Sequence, residues 1–154
     1  PMTPYPQYLP DQLGRFVRPG SSFHGLAHDV VKLYSMLLRN GVSAEGERIL
    51  SGETVRMLTT RQHDGLLDET FGVVMDRVLG FFIDSQRHSP AVPYGYGRAA
   101  SHLTFGHGGK ELSTGFADPE HGLAVALVFN GMPGEPKHDR RLKQVLGAVY
   151  EAVG

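Results

Sequence analysis

The chain has 154 residues, no cysteine, 20% charged residues and a formal net charge of -1. That length makes one domain the expectation, with roughly 70% of the unfolded surface buried on folding. Near-neutral charge argues against a nucleic-acid or anionic-membrane partner, the lack of cysteine excludes disulfides and thiolate chemistry, and no run reaches the ~18 apolar residues of a membrane span. Without cysteines or a visible leader the chain suits a cytoplasmic setting, with a periplasmic or secreted one left open. Its Pro1-Met2 opening suits a processed or engineered fragment.

Pro1, Pro4, Pro6, Pro10 and Pro19 lie in residues 1–20 and predict an extended segment, since proline blocks regular hydrogen bonding. Leu26, Val30, Leu33, Tyr34, Leu37 and Leu38 then recur at three and four, an amphipathic helix stopped by Asn40-Gly41. Ser51 is placed to cap a short helix running to about Thr60. Residues 61–69 read as a polar loop, and the apolar, aromatic run 78–84 as a strand. Residues 85–101 form a long loop whose Tyr94 and Tyr96 would either line a cleft or anchor its glycines. Segments 112–117 and 123–130 flank Asp118-Pro119-Glu120-His121-Gly122, a hairpin with turn chemistry at its centre. The apolar run 123–129 predicts a strand buried on both faces. Leu142, Val145, Leu146, Val149 and Val153 place a stripe on a last helix over 141–153, which should cover the sheet. The basic cluster at 137–143 reads as that helix's solvated face. Together these elements predict an α+β fold: an antiparallel sheet with a C-terminal helix packed on it and additional helices. Its regions are an extended segment 1–20, a helical region 21–75 and a sheet with C-terminal helix over 76–154.

The residues richest in chemistry are Phe105-Gly106-His107-Gly108-Gly109, a polar edge opened by glycines ahead of the hairpin. It is no phosphate loop, because no Gly-Lys-Ser/Thr closes it. His24 and His28 stand one helical turn apart, but Gly25 follows the first where a zinc-hydrolase helix carries Glu. His102 and His107 lie five apart without a third ligand placed by spacing. No metal and no cofactor are assigned, and a metal-dependent hydrolase built on the histidines stands as a rival reading.

The 105–109 segment, followed by Phe116-Ala117-Asp118-Pro119 and Gly122-Leu123, resembles the last active-site motif of the serine β-lactamase, penicillin-binding protein and family VIII esterase group. Three further segments resemble that group in the same order: Gly25 to Tyr34 its Asp-bearing helix, Leu50-Ser51-Gly52-Glu53-Thr54-Val55 a helix start, and Leu79-Gly80-Phe81-Phe82-Ile83 a strand. The resemblance covers residue 21 to the C-terminus and implies part of a β-lactamase or transpeptidase-like fold. It implies that His107 faces the nucleophile pocket, giving electrostatic support and hydrogen bonds to the substrate or proton relay. Gly108 and Gly109 would let a substrate approach the backbone, and the Lys110 N–H would supply half of an oxyanion hole. Gly108 stands where many relatives carry Thr or Ser. The group's nucleophile sits in Ser-x-x-Lys, with a Tyr-x-Asn or Tyr-x-Ser partner. Neither occurs here, since no serine of the chain has Lys three residues on. The resemblance therefore implies the C-terminal portion of a serine hydrolase acting on a small-molecule ester or amide through an acyl-enzyme. An N-terminal segment would complete it. The alternative from another class is a non-catalytic binding or self-associating module, and either reading leaves room for a homo-oligomer or a complementing chain. No nucleic-acid or membrane partner is implied.

Overall fold

The computed structural model describes residues 25–90, 92–93, 95–109 and 112–154. The expected extended segment 1–20 lies outside them. Helix α1 spans Ala27–Leu38 and ends as the sequence predicts, with Asn40 at φ 54° and Gly41 at φ 89° in the left-handed region. A side chain at Gly41 would collide with the Leu50 carbonyl, so glycine is required for both conformation and space. α1 buries Tyr34, Met36 and Leu37, whereas Leu26 and Leu33 of the predicted stripe stay exposed. Helix α2, Gly52–Thr59, starts where Ser51 Oγ accepts the Thr54 N–H at 3.0 Å, the cap the sequence implies.

The expected polar loop at 61–69 is instead strand β1, His63–Asp68, which pairs antiparallel with β2, Val73–Arg77. The sheet thus begins inside the region expected to be helical. Asp68 Oδ1 accepts the Thr70 and Phe71 N–H groups and shapes the intervening turn. β1 is an edge strand with exposed Leu66 and Leu67, so its composition carries no two-residue apolar alternation. Of the expected strand 78–84 only Phe82–Ile83 pairs, as β3. Gly80, at φ 81°, turns the preceding residues, and the Val78 N–H bonds the Phe81 carbonyl across that turn.

Strands β4 (Phe105–Gly109), β5 (Ser113–Asp118) and β6 (Leu123–Val128) complete a six-stranded antiparallel sheet in sequence order, β1 through β6. Helix α3, Glu135–Val153, begins six residues before the predicted 141. Pro136 in its first turn has the backbone angle a helix start needs, and Gly134 at φ 93° brings the chain into it. Its inner face is His138, Leu142, Leu146 and Tyr150, spaced by four, with Val153 left exposed. In the basic cluster Lys137, Arg140 and Lys143 are exposed as expected. Arg141 instead lies over the Phe129 ring at 4.4 Å and bonds the Gly131 carbonyl.

Alternation along the strands separates two cores. Phe116 and Val125 pack with Met75, Phe82, Tyr96 and the inner face of α3. Phe105, Ala117 and Ala124 face α1 and α2 through Tyr34, Leu37 and Val55. Each fully buried large apolar side chain contributes about 1.5–3 kcal/mol. The 123–129 strand is therefore covered from both sides, but its full burial is corrected: β6 ends the sheet order, and Val128 is 65% exposed. No helix among the described residues is long and apolar enough to cross a membrane.

Candidate functional site

β4 carries the glycine-rich edge. Along its inner side all five of its residues pair with β5, from Phe105↔Ala117 to Gly109↔Ser113. On the other side β3 reaches only Phe105 and Gly106. From His107 onward no strand among the described residues pairs with that outer side; there the Gly108 carbonyl accepts from the His107 ring and the Gly109 carbonyl from the Leu112 N–H. Gly106 owes its identity to the fold itself: a Cβ there would sit 2.2 Å from the Gly115 carbonyl oxygen and 2.5 Å from Phe116 Cβ. A Cβ on Gly109 would meet only the Ser113 Oγ, which can rotate away. Gly108 pairs with Thr114 between them. Lys110 lies outside the described residues.

His107 is exposed, and its Nδ1 is 2.7 Å from the Gly108 carbonyl. A carbonyl can only accept, so Nδ1 carries the hydrogen and Nε2 of the neutral ring keeps the lone pair. The ring lies 4.8 Å from the Phe82 ring, tilted by 53°. Phe82 in turn carries the Arg77 guanidinium 3.9 Å above its face, and Arg77 is paired with Asp68. Behind the strand, Tyr34 of α1 is in hydrogen-bond contact with the His107 backbone. Burial pushes the Tyr34 hydroxyl up to about 12, and that backbone contact opposes the rise. Tyr34 can lie there because position 115 is glycine: a Cβ would stand 2.6 Å from Tyr34 Cε2.

Two buried carboxylates organise the surroundings; the sequence marks Asp118 only as part of a turn and a family motif, and does not mark Asp76. Asp118, 0% exposed, accepts the Ser101 N–H at 2.9 Å, the Ser101 hydroxyl at 2.6 Å, the Tyr150 hydroxyl at 2.8 Å and His121 Nδ1 at 2.9 Å. Burial alone would raise its pKa, but the Ser101 and Tyr150 bonds hold it far below the usual carboxylate range. Asp76, also 0% exposed, accepts Arg87 Nε at 3.0 Å, the Gly65 N–H at 2.7 Å and His88 Nε2 at 2.8 Å. Arg61 Nε is 3.0 Å from the same carboxylate but is not aligned to donate, so it acts by charge. Burial would raise Asp76 too, and these partners lower it. Asp84 goes the other way: desolvation raises it, with Gln86 as partial compensation.

Asp64, Asp76 and His88 bring three potential metal ligands within 4.8 Å of one another. Arg87 already bridges the two carboxylates with its positive charge, so the group fits an ion-pair cluster better than a cation site. The histidines weighed from the sequence do not add to it. His28 faces Asp29, His102 faces Glu120, and His24 lies outside the described residues. Of the two loop tyrosines, Tyr96 is a core anchor, 1% exposed, with its hydroxyl donating to the Phe82 carbonyl at 3.1 Å. Tyr94 lies outside the described residues.

A family model described as Beta-lactamase matches residues 2–150. Among solved structures, the chain is similar to a family VIII carboxylesterase at 28% identity, covering 77% of this chain and 30% of that one, with TM-score 0.53. It is similar to a beta-lactamase from Mycobacterium bovis at 28% identity, covering 77% and 40%, with TM-score 0.57. A penicillin-binding protein homolog from Caulobacter crescentus, 22% identical over 92% of this chain and 41% of that one with TM-score 0.55, shares the fold. No curated protein matches the sequence. The chain thus spans about a third of the length of these structural relatives.

Proposed function

As the chain belongs to the beta-lactamase family, we propose that β4 is one wall of an acyl-transfer site for ester or amide hydrolysis, completed by a nucleophile from polypeptide outside this sequence. What supports this reading is the family match over residues 2–150 together with the place of His107, exposed on β4 just beyond the point where β3 stops. A substrate would lie along that side of β4, against His107 and the glycines. His107 Nε2 would accept a proton or hydrogen bond near the reacting centre. The Lys110 N–H, together with the nucleophile's own N–H, would stabilise the oxyanion of the tetrahedral intermediate. Acyl transfer needs nucleophile and base in one pocket, and this sequence carries no Ser-x-x-Lys. A non-catalytic, self-associating role has a specific observation of its own, the exposed Leu66 and Leu67 on edge strand β1.

The test is complementation. The purified chain is assayed with a chromogenic cephalosporin and a p-nitrophenyl ester, alone and with a polypeptide carrying the family's Ser-x-x-Lys segment. The expected result is turnover only in the mixture, cut roughly tenfold to a thousandfold by His107→Ala. Turnover by the chain alone that survives His107→Ala, or full activity of the mutant mixture, overturns the proposal.

A further inference from the structure

Away from β4, helix α3 and described residues between Gln86 and Ala99 border an open cleft of about 650 Å³. Small-molecule sites occupy about 300–1,000 Å³. Its floor is apolar. Val92 is buried, and the Tyr150 ring lines the cavity while its hydroxyl is committed to Asp118. Two glycines shape the walls. Gly97, at φ 101°, lets the loop lie against α3, since a Cβ there would stand 3.2 Å from Leu146 Cβ. Gly147 is different. It stands inside α3, where glycine costs about 1 kcal/mol relative to alanine, yet nothing lies within 4 Å of the place its Cβ would occupy. Packing within the chain does not demand this glycine, and its effect is to leave the cavity open.

The rim is positively charged. Arg98, Arg140 and Lys143 line it against a single acid, Glu151. Lys143 is engaged with Asp139 at 2.7 Å. Arg98 and Arg140 have no ion-pair or hydrogen-bond partner among the described residues, so two guanidinium groups stand ready beside an apolar floor. Guanidinium is suited to a planar or tetrahedral anionic head, and the floor to an apolar body.

We propose that this cavity binds a small organic anion, its head held by Arg98 and Arg140 and its apolar body laid on Val92 and Tyr150 beside Gly147. The site is independent of the acyl-transfer reading, since none of these residues belongs to β4. Such a ligand would tie Arg98 and its neighbours Gly97 and Ala99 to α3.

Anilinonaphthalene sulfonate serves as the anionic probe and N-phenyl-1-naphthylamine as its uncharged analogue, both titrated by fluorescence into this chain. Amide shifts of Gly95, Gly97 and Gly147 locate the binding, and decanoate is the competitor. The expected result is saturable one-to-one binding of the sulfonate at those glycines, displaced by decanoate. Combining Arg98→Glu with Arg140→Glu should weaken the sulfonate about tenfold or more and leave the uncharged analogue within about twofold. Gly147→Leu, which fills the open wall, should weaken both about tenfold or more. Sulfonate binding that is non-saturable, that maps to Leu66 and Leu67, or that the charge reversal leaves unchanged overturns the proposal. Near-UV circular dichroism verifies that each variant is folded, and if Gly147→Leu is not, the charge-reversal pair decides alone.

Discussion

Asp118→Asn tests whether the buried carboxylate holds the hairpin, the preceding loop and α3 together. Three donors converge on Oδ2: the Ser101 N–H, the Tyr150 hydroxyl and His121 Nδ1. Oδ1 takes the Ser101 hydroxyl at 2.6 Å and the Glu120 N–H at 3.2 Å. Asparagine must turn an NH₂ toward one of these sets. Hydroxyl groups can rotate away, but a backbone N–H cannot, and each set contains one. An NH₂ at Oδ2 opposes the Ser101 N–H and His121 Nδ1–H, one at Oδ1 opposes the Glu120 N–H and the His121 N–H, which also bonds Oδ1 at 3.4 Å, and either removes the charge from the remaining bonds. A hydrogen bond to a charged group contributes about 1.5–3 kcal/mol, and an unsatisfied buried donor costs about 1–3 kcal/mol. The expected loss is about 3–5 kcal/mol, the range for breaking a buried charged network. Urea unfolding at pH 7 measures it as a lower midpoint at unchanged slope. The pH dependence has a definite sign. Asp118 has a depressed folded-state pKa, so its contribution is complete above the unfolded value of about 3.9 and is lost as pH falls toward the folded one. The gap between parent and variant should be constant from about pH 5 to 7 and shrink below about pH 4. A loss under about 1 kcal/mol at pH 7, or a gap that widens in acid, would refute the reasoning.

Gly115→Ala should cost about 1–3 kcal/mol by overpacking, because the new methyl meets Tyr34 Cε2 at 2.6 Å and Val30 Cγ1 at 2.8 Å. Adding Val30→Ala should recover part of that loss, and a neutral Gly115→Ala in thermal unfolding would contradict the packing described. His107→Ala should change the stability of this chain by no more than about 0.5 kcal/mol, since the side chain is exposed; a large drop in melting temperature would make it a structural residue. With Leu66, Leu67 and Val128 exposed on the two end strands of the sheet, the chain should self-associate at micromolar concentration. Sedimentation showing a clean monomer that binds no apolar dye along those strands would count against it.

The readings that held rest on signals carried by neighbouring residues. Asn40-Gly41 ends α1, Ser51 caps α2, and the turn before Gly122 joins β5 to β6, because a left-handed glycine or a capping hydroxyl acts within its own few residues. The order of motifs from Gly25 to Leu123 likewise carried the family, since a family pattern lies in the sequence itself. What only the tertiary structure decided depends on residues far apart in the chain. β1 has no signature in the sequence because an edge strand needs pairing with β2 and not an apolar alternation of its own. β4 outruns β3 at His107 because β3 is only two residues long. Asp118 finds Ser101 and Tyr150 at separations of 17 and 32, and Asp76 finds Arg87 at 11. No spacing rule reaches that far: a helix repeats every ~3.6 residues and a strand every two, while a buried carboxylate takes its partners from whichever elements the fold packs around it.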